Sequence, residues 1–179
     1  LYINGEYWGL YYLRESKGKY FLAENRGVDP ERVDIVEQER YVVAGETDRY
    51  DELLAYVRAH DLAEPEHYEH VAGQIDVDNL IDYQAFEIFF ANVDNGNIRC
   101  WRERSPAGVW RWILFDVDTS FFYPQEDMFQ RVFDPAGTGY GHNVPSTLMC
   151  GLIRNEEFKQ RFLQRFVHHL AHTFASENV

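Results

Sequence analysis

Cysteine is scarce: Cys100 and Cys150 are the only two in 179 residues, far apart and without CxxC spacing. A structural zinc site of the usual spacing is excluded, and the count alone specifies no disulfide. Cationic side chains are also in deficit, 17 Lys and Arg against 30 Asp and Glu, for a net charge of −13. Nucleic-acid affinity comes largely from clustered Lys and Arg that release counterions, so this balance speaks against a nucleic-acid binder and for basic or cation-bridged partners. No run of about eighteen apolar residues occurs, so no membrane-spanning helix is expected. The start "LYINGEYWG" lacks the basic region and small-residue cleavage site of a signal peptide. Internal repeats and low-complexity tracts are missing as well.

What the chain does contain is 45% hydrophobic and 16% aromatic residues, enough to bury the core of one domain or two small lobes. It opens inside a strand: Leu1, Tyr2 and Ile3 lead into Asn4-Gly5, a strong hairpin signal, with "EYWGLYYL" as the returning strand. Such a start reads as a fragment whose domain begins upstream. Residues 17–27 then read as a short helix closed by Gly27. Val33, Ile35, Val36, Tyr41, Val42 and Val43 alternate with charges as one or two strands ending at Gly45. Thr47 caps a helix carrying Tyr50, Leu53, Leu54, Val57 and His60, and residues 62–70 read as a polar connector with Pro65.

The clearest helix starts at Asp76 or Asp78 and carries Leu80, Ile81, Phe86, Ile88, Phe89 and Phe90 to about residue 91. It feeds "NVDNGN" and then a second hairpin, "IRCWRERSPAGVWRWILFD", turning at residues 105–108. Residues 123–145 read as a long irregular segment, either functional or mobile. Two helices close the chain, one over residues 146–154 and one capped by Asn155, with Phe158, Phe162, Phe166, Leu170 and Phe174 as its buried stripe.

A regular second hairpin has its closed end at residues 105–108, so its open ends bring Asn97 beside the region of Asp116. Asp94, Asn95, Asn97, Asp116 and Asp118 then converge. Hard cations such as magnesium take carboxylate and amide oxygens and keep waters or phosphates in the other positions, which suits this set. Asp and Asn are equally ordinary turn residues, and neither "NVDNGN" nor "DVD" is specific alone; their co-location across one hairpin carries the reading. His168, His169 and His172 sit on a helix with one face committed to the core and are read as structural. "GTGYG" lacks the Lys and the strand-to-helix context of a phosphate-binding loop and is read as a loop.

"LYINGEYWGLYYLRE", "NLIDYQAFEIFFANVDNGN" running into "IRCWRE", "WRWILFDVDTSFF" and "LIRNEEFKQRFLQRF" occur in the order and style of the CotH family. The chain resembles these spore-coat-associated atypical protein kinases from Leu1 to about Phe166. The resemblance implies a partial kinase-like α+β fold, with residues 1–45 in an N-terminal β-rich region. Residues 46–179 then form a mainly helical C-terminal lobe with a β-hairpin at the active site. It also implies ATP as co-substrate, Mg2+, serine of basic or Ser-rich protein substrates as acceptor, and a spore-coat or cell-surface location.

By this likeness Asp94 is similar to the catalytic-loop aspartate and Asn97 to a metal-binding asparagine. Asp116 or Asp118 matches the aspartate that ordinary kinases carry in their metal-binding segment, and Glu15 in "YLRE" matches an acidic residue that orients nucleotide or its metal. The chain departs from the family in three ways: Tyr123 follows Phe121-Phe122 where the motif often ends in Phe-Gly, the loop from Asp94 to Asn97 is shorter, and the lysine expected to meet the phosphates belongs to upstream segments. Two other readings use the same residues, a non-catalytic surface or adhesion module and a calcium-stabilised binding domain.

Overall fold

The computed structural model describes residues 1–11, 14–38, 41–94, 97–133, 144–175 and 178, with residues 144–146 as backbone only. Asn4 and Gly5 both take positive φ, 51° and 85°, as a two-residue hairpin turn requires. They join β1 (Tyr2–Ile3) to β2 (Glu6–Tyr7), so the returning strand is far shorter than "EYWGLYYL" suggests. Helix α1 (Lys19–Arg26) ends at Gly27, whose φ of 68° and N–H bond to the Ala23 carbonyl close it as expected.

Strands β3 (Val33–Glu37) and β4 (Tyr41–Ala44) follow, then β5 (Arg99–Glu103) and β6 (Arg111–Ile113) from the second hairpin. These four form one antiparallel sheet in the order β4-β3-β5-β6. The sheet thus joins strands from both sides of residue 45. β3 is buried along nearly its whole length, including Asp34, which accepts from Arg102 Nε at 3.0 Å and from the Glu46 N–H at 3.0 Å. Gly45 makes that arrangement possible: a Cβ there would stand 2.2 Å from Asp34 Oδ1, and its φ of 71° disfavours a side chain in any case.

Helix α2 (Asp48–Ala59) buries Tyr50, Leu53, Leu54 and Val57 as the spacing predicts. Thr47 precedes it, but its side chain makes no capping bond; only its carbonyl joins the first turn, accepting from Tyr50 and Asp51. The expected connector over residues 62–70 is largely a helix, α3 (Pro65–Ala72). Pro65 stands in its first turn, where a missing N–H costs nothing, and Tyr68 and Val71 supply a narrow buried stripe that the polar composition hides. Trp110 pins the link between α3 and the next helix: its N–H donates to the Gln74 carbonyl, its carbonyl accepts from Asp76, and its ring packs on Tyr50 at 4.7 Å.

Helix α4 (Val77–Phe89) is capped by Asp76, whose carboxylate accepts the Asn79 N–H at 3.1 Å. Asn79 in turn meets the Trp112 backbone through both its amide atoms, fastening α4 to the outer edge of β6. The segment expected to be irregular over residues 123–145 contains α5 (Met128–Phe133), which buries Met128 and Val132 one turn apart. "GTGYG" lies outside the described residues. Helix α6 (Val144–Leu152) leads to Asn155, whose Oδ1 accepts from Glu157 and Phe158 and caps α7 (Glu156–His168).

Phe158 and Phe162 are fully buried and Phe166 partly so, but Leu170 points to solvent. Residues spaced by four drift steadily around a helix of 3.6 residues per turn, and a π turn over His169–Thr173 then brings Phe174 back to a buried position. Phe174 stacks on Phe89 at 4.0 Å and meets Phe86 edge-on at 4.8 Å, so the phenylalanines of α4 lie against the end of the C-terminal segment, half-buried. His169 Nε2 donates to the Asp82 carboxylate at 2.8 Å and its Nδ1 meets the Thr173 hydroxyl, consistent with a structural part for that histidine. Asp82 also takes Arg165, and Asp78 takes Arg161 at 2.9 Å, so two acids one turn apart on α4 hold two bases one turn apart on α7.

Candidate active site

The candidate site forms where α4 ends and where β5 begins beside the exit of β6. Register alone explains much of it. Arg99 faces Ile113 across the hairpin, so two residues outward on each strand Asn97 comes level with the Phe115-Asp116 segment. Asn97 Nδ2 donates to Asp94 Oδ2 at 2.9 Å and lies 3.5 Å from the Asp116 carbonyl oxygen, linking three of the predicted residues through one amide. Asp94 and Asn97 are half-buried, whereas Asp116 and Asp118 are exposed. Asp118 forms no hydrogen bond or ion pair with the other three among the described residues, and Asn95 lies outside them.

Two short-range geometries shape the site. Asp116 sits in the left-handed region at φ 54°, so the chain leaving β6 changes direction sharply at this residue. Phe121 does likewise at φ 61°, and its N–H donates to the Phe90 carbonyl at 2.8 Å, docking the turn after "DVD" onto the end of α4. The segment that carries Glu15 passes this neighbourhood, while Glu15 itself bonds none of Asp94, Asn97, Asp116 and Asp118 among the described residues. Arg14 Nη1 approaches Asp116 Oδ1 at 3.9 Å, Arg99 Nη1 donates to the Lys17 carbonyl at 2.8 Å, and Glu15 itself pairs with Lys17 at 3.4 Å.

Sequence reading missed the residues behind this surface. Glu87 is half-buried, and desolvation pushes its carboxyl up to about 7; hydrogen bonds from Asn92 and Tyr83 oppose the rise and the negative Asp94 adds to it. Asn92 is buried too, and Arg131 of α5 donates to the Val93 carbonyl at 2.8 Å. The signal for Glu87 was present: an acid in the middle of "QAFEIFF", one turn after Tyr83, on a helix otherwise apolar at that face. Asn92 carried no such signal, because an asparagine after a helix reads as an ordinary terminator.

Hard-cation chemistry fits the donors present. Among the described residues no group of three or more His, Cys, Asp and Glu side chains is set to enclose a metal. Magnesium does not need such a cage, since it commonly binds through one or two carboxylates with waters and phosphate oxygens completing the octahedron. Asn97 already spends Nδ2 on Asp94, which leaves Oδ1 for a cation. A family model described as CotH kinase protein matches residues 1–179. The chain belongs to the CotH family. No curated protein and no solved structure matches it. The chain is mixed α+β, and no helix among its described residues is long and apolar enough to cross a membrane.

Proposed function

We propose that this CotH domain is an atypical kinase-like phosphotransferase that moves the γ-phosphate of ATP to a serine hydroxyl of a basic or Ser-rich protein, with magnesium. The observation that supports this reading is the amide of Asn97 lying between the Asp94 carboxylate and the Asp116 backbone. An amide in that position supports the reading because phosphoryl transfer needs mainly positioning and charge neutralisation. Asp94 receives or orients the acceptor hydroxyl, and the bond from Asn97 fixes that carboxylate while it does so. Asn97 Oδ1 and the carboxylates of Asp116 and Asp118 would hold the metal, and Glu15 would help to orient the nucleotide or its metal. Bound magnesium supplies the positive charge that lets a domain of net charge −13 accept a polyphosphate. The same acidic surface attracts Lys- and Arg-rich substrates. A spore-coat or cell-surface location belongs to this reading.

A second reading, a non-catalytic adhesion module, is favoured by one observation: Tyr2, Tyr7, Trp8, Leu10 and Tyr11 are all exposed along the first hairpin and its exit. Exposed aromatic clusters often mark binding surfaces. Radiolabel transfer from ATP to a basic, Ser-rich protein separates the two, measured on the full natural protein carrying this chain. Asp94→Asn should retain magnesium-ATP binding by thermal shift while transfer falls by about 10²-fold or more. No transfer by the parent, together with no shift from magnesium-ATP, would favour adhesion; a shift with calcium alone would favour the calcium-stabilised domain.

A further inference from the structure

Asn92 is buried, with its backbone N–H and its side-chain amide engaged, and lies between the two loops that carry the site. Ala91, at φ 47°, reverses the chain after α4, so that Asn92 folds back on the last turns of the helix. There its N–H donates to the Glu87 carbonyl at 3.1 Å and its side chain bonds the Glu87 carboxyl. Its Oδ1 faces the other way. It accepts the Asp94 N–H at 3.3 Å and the Thr119 hydroxyl at 2.5 Å. A residue only 5% exposed therefore touches the helix, the loop of Asp94 and the turn that follows Asp116 and Asp118.

A buried amide is costly unless each group finds a partner, and an apolar side chain would fill the same space without that demand. The amide is needed where two stretches of irregular backbone must be held in register. Both stretches here contain residues outside the usual backbone regions, Ala91 on one side and Asp116 and Phe121 on the other. The Phe121 N–H bond to Phe90 and the Arg131 bond to Val93 brace the same two stretches from either side.

We infer that Asn92, backed by Glu87, is a positioning residue that ties the loop of Asp94 to the turn bearing Asp116 and Asp118 through the Thr119 hydroxyl. The inference rests on the phosphotransfer reading for its purpose, while the tie itself is a property of the fold. Thr119→Val keeps the side-chain shape and removes the donor; Thr119→Ser keeps the donor.

Two measurements on the full natural protein test it. Hydrogen exchange should quicken in Thr119→Val over residues 92–94 and 117–121 together, with parental rates over α2 and α7, and return toward parental values in Thr119→Ser. In transfer assays kcat should fall by about tenfold or more in Thr119→Val, with a smaller change in the KM for ATP, and recover in Thr119→Ser. Unchanged exchange over residues 92–94 in Thr119→Val overturns the tie, whatever the activity. Quickened exchange with parental kcat overturns the positioning role. A parent that binds and transfers nothing sinks the phosphotransfer reading by itself and leaves the exchange result to decide the tie.

Discussion

The two hairpins begin from similar signals and end in different places. Each has a turn that the sequence announces, Asn4-Gly5 in one and residues 105–108 in the other, where the Gly108 N–H closes on the Ser105 carbonyl at 3.0 Å. In the first, Tyr2 pairs with Tyr7 across two-residue strands and both rings stay in solvent. In the second, Cys100 pairs with Trp112, and both are buried because β3 covers one edge of β5 while α4 covers the face and the far edge of β6. A turn writes the hairpin; its neighbours decide whether the strands become core. The candidate site sits at the open end of the covered hairpin, where rigid neighbours hold loop residues in place.

That contrast can be broken by unequal mutational costs. Trp110→Ala, at the entry to β6, should destabilise the protein by about 3–5 kcal/mol in chemical denaturation, since it empties a site shared with Tyr50 and severs no backbone bond. A loss below about 1 kcal/mol would mean that the second hairpin is not held by its burial.

Glu87 sharpens the comparison through pH. Its folded carboxyl, raised to about 7 by burial, binds a proton that the unfolded chain releases near the ordinary value of 4.5. Stability contributed by this group is therefore full below about pH 4.5 and declines as pH rises through 7, by roughly 3 kcal/mol in all. Glu87→Gln should flatten that part of the stability profile, and an unaltered slope would show that the carboxyl is not kept neutral by its surroundings.

Smaller effects are expected at the exposed acids. Asp116→Asn should weaken magnesium-dependent ATP binding by about tenfold, roughly 1.4 kcal/mol, with little change in unfolding. Asp118→Asn, measured alongside by thermal shift with and without magnesium, tells which acid is the stronger ligand; parental binding in both variants would remove the metal from this end of the hairpin. Smallest of all, Tyr7→Ala in the first hairpin should change stability by less than about 0.5 kcal/mol, because the ring is already solvated. A cost comparable to that of Trp110→Ala would abolish the distinction between the hairpins.

The sequence was most legible where one signal sufficed. Gly27 and Asn155 end and start helices through their own backbone or side-chain chemistry, and a regular second hairpin is enough to bring Asn97 near Asp116. It was least legible where a few buried residues worked inside polar stretches. Helix α3 buries Tyr68 and Val71 among Glu and His, and α5 is only six residues long, so neither gives a pattern longer than one repeat. Leu170 was misplaced because a fixed spacing of four ignores the π turn that restores Phe174. Within the site, Asp94, Asn97 and Asp116 are legible as a group and Glu87 as an acid in an apolar run, but the bond that joins Glu87 to Asn92 is not. That pairing depends on a chain reversal at Ala91, which no residue preference announces.

The central position of β5 has a bearing on how the protein comes to be made. Its partner β3 lies more than half a hundred residues earlier in the chain, with α2, α3 and α4 between them. The backbone bonds of those helices are local, whereas closing β3 on β5 requires ordering the whole intervening stretch. On a ribosome the loop of Asp94 would emerge before the strand that positions it, and the surface holding Asn97 and Asp116 would be among the last parts to take shape. A newly synthesised copy therefore cannot complete this surface until β5 and β6 have both left the ribosome and β5 has paired with β3.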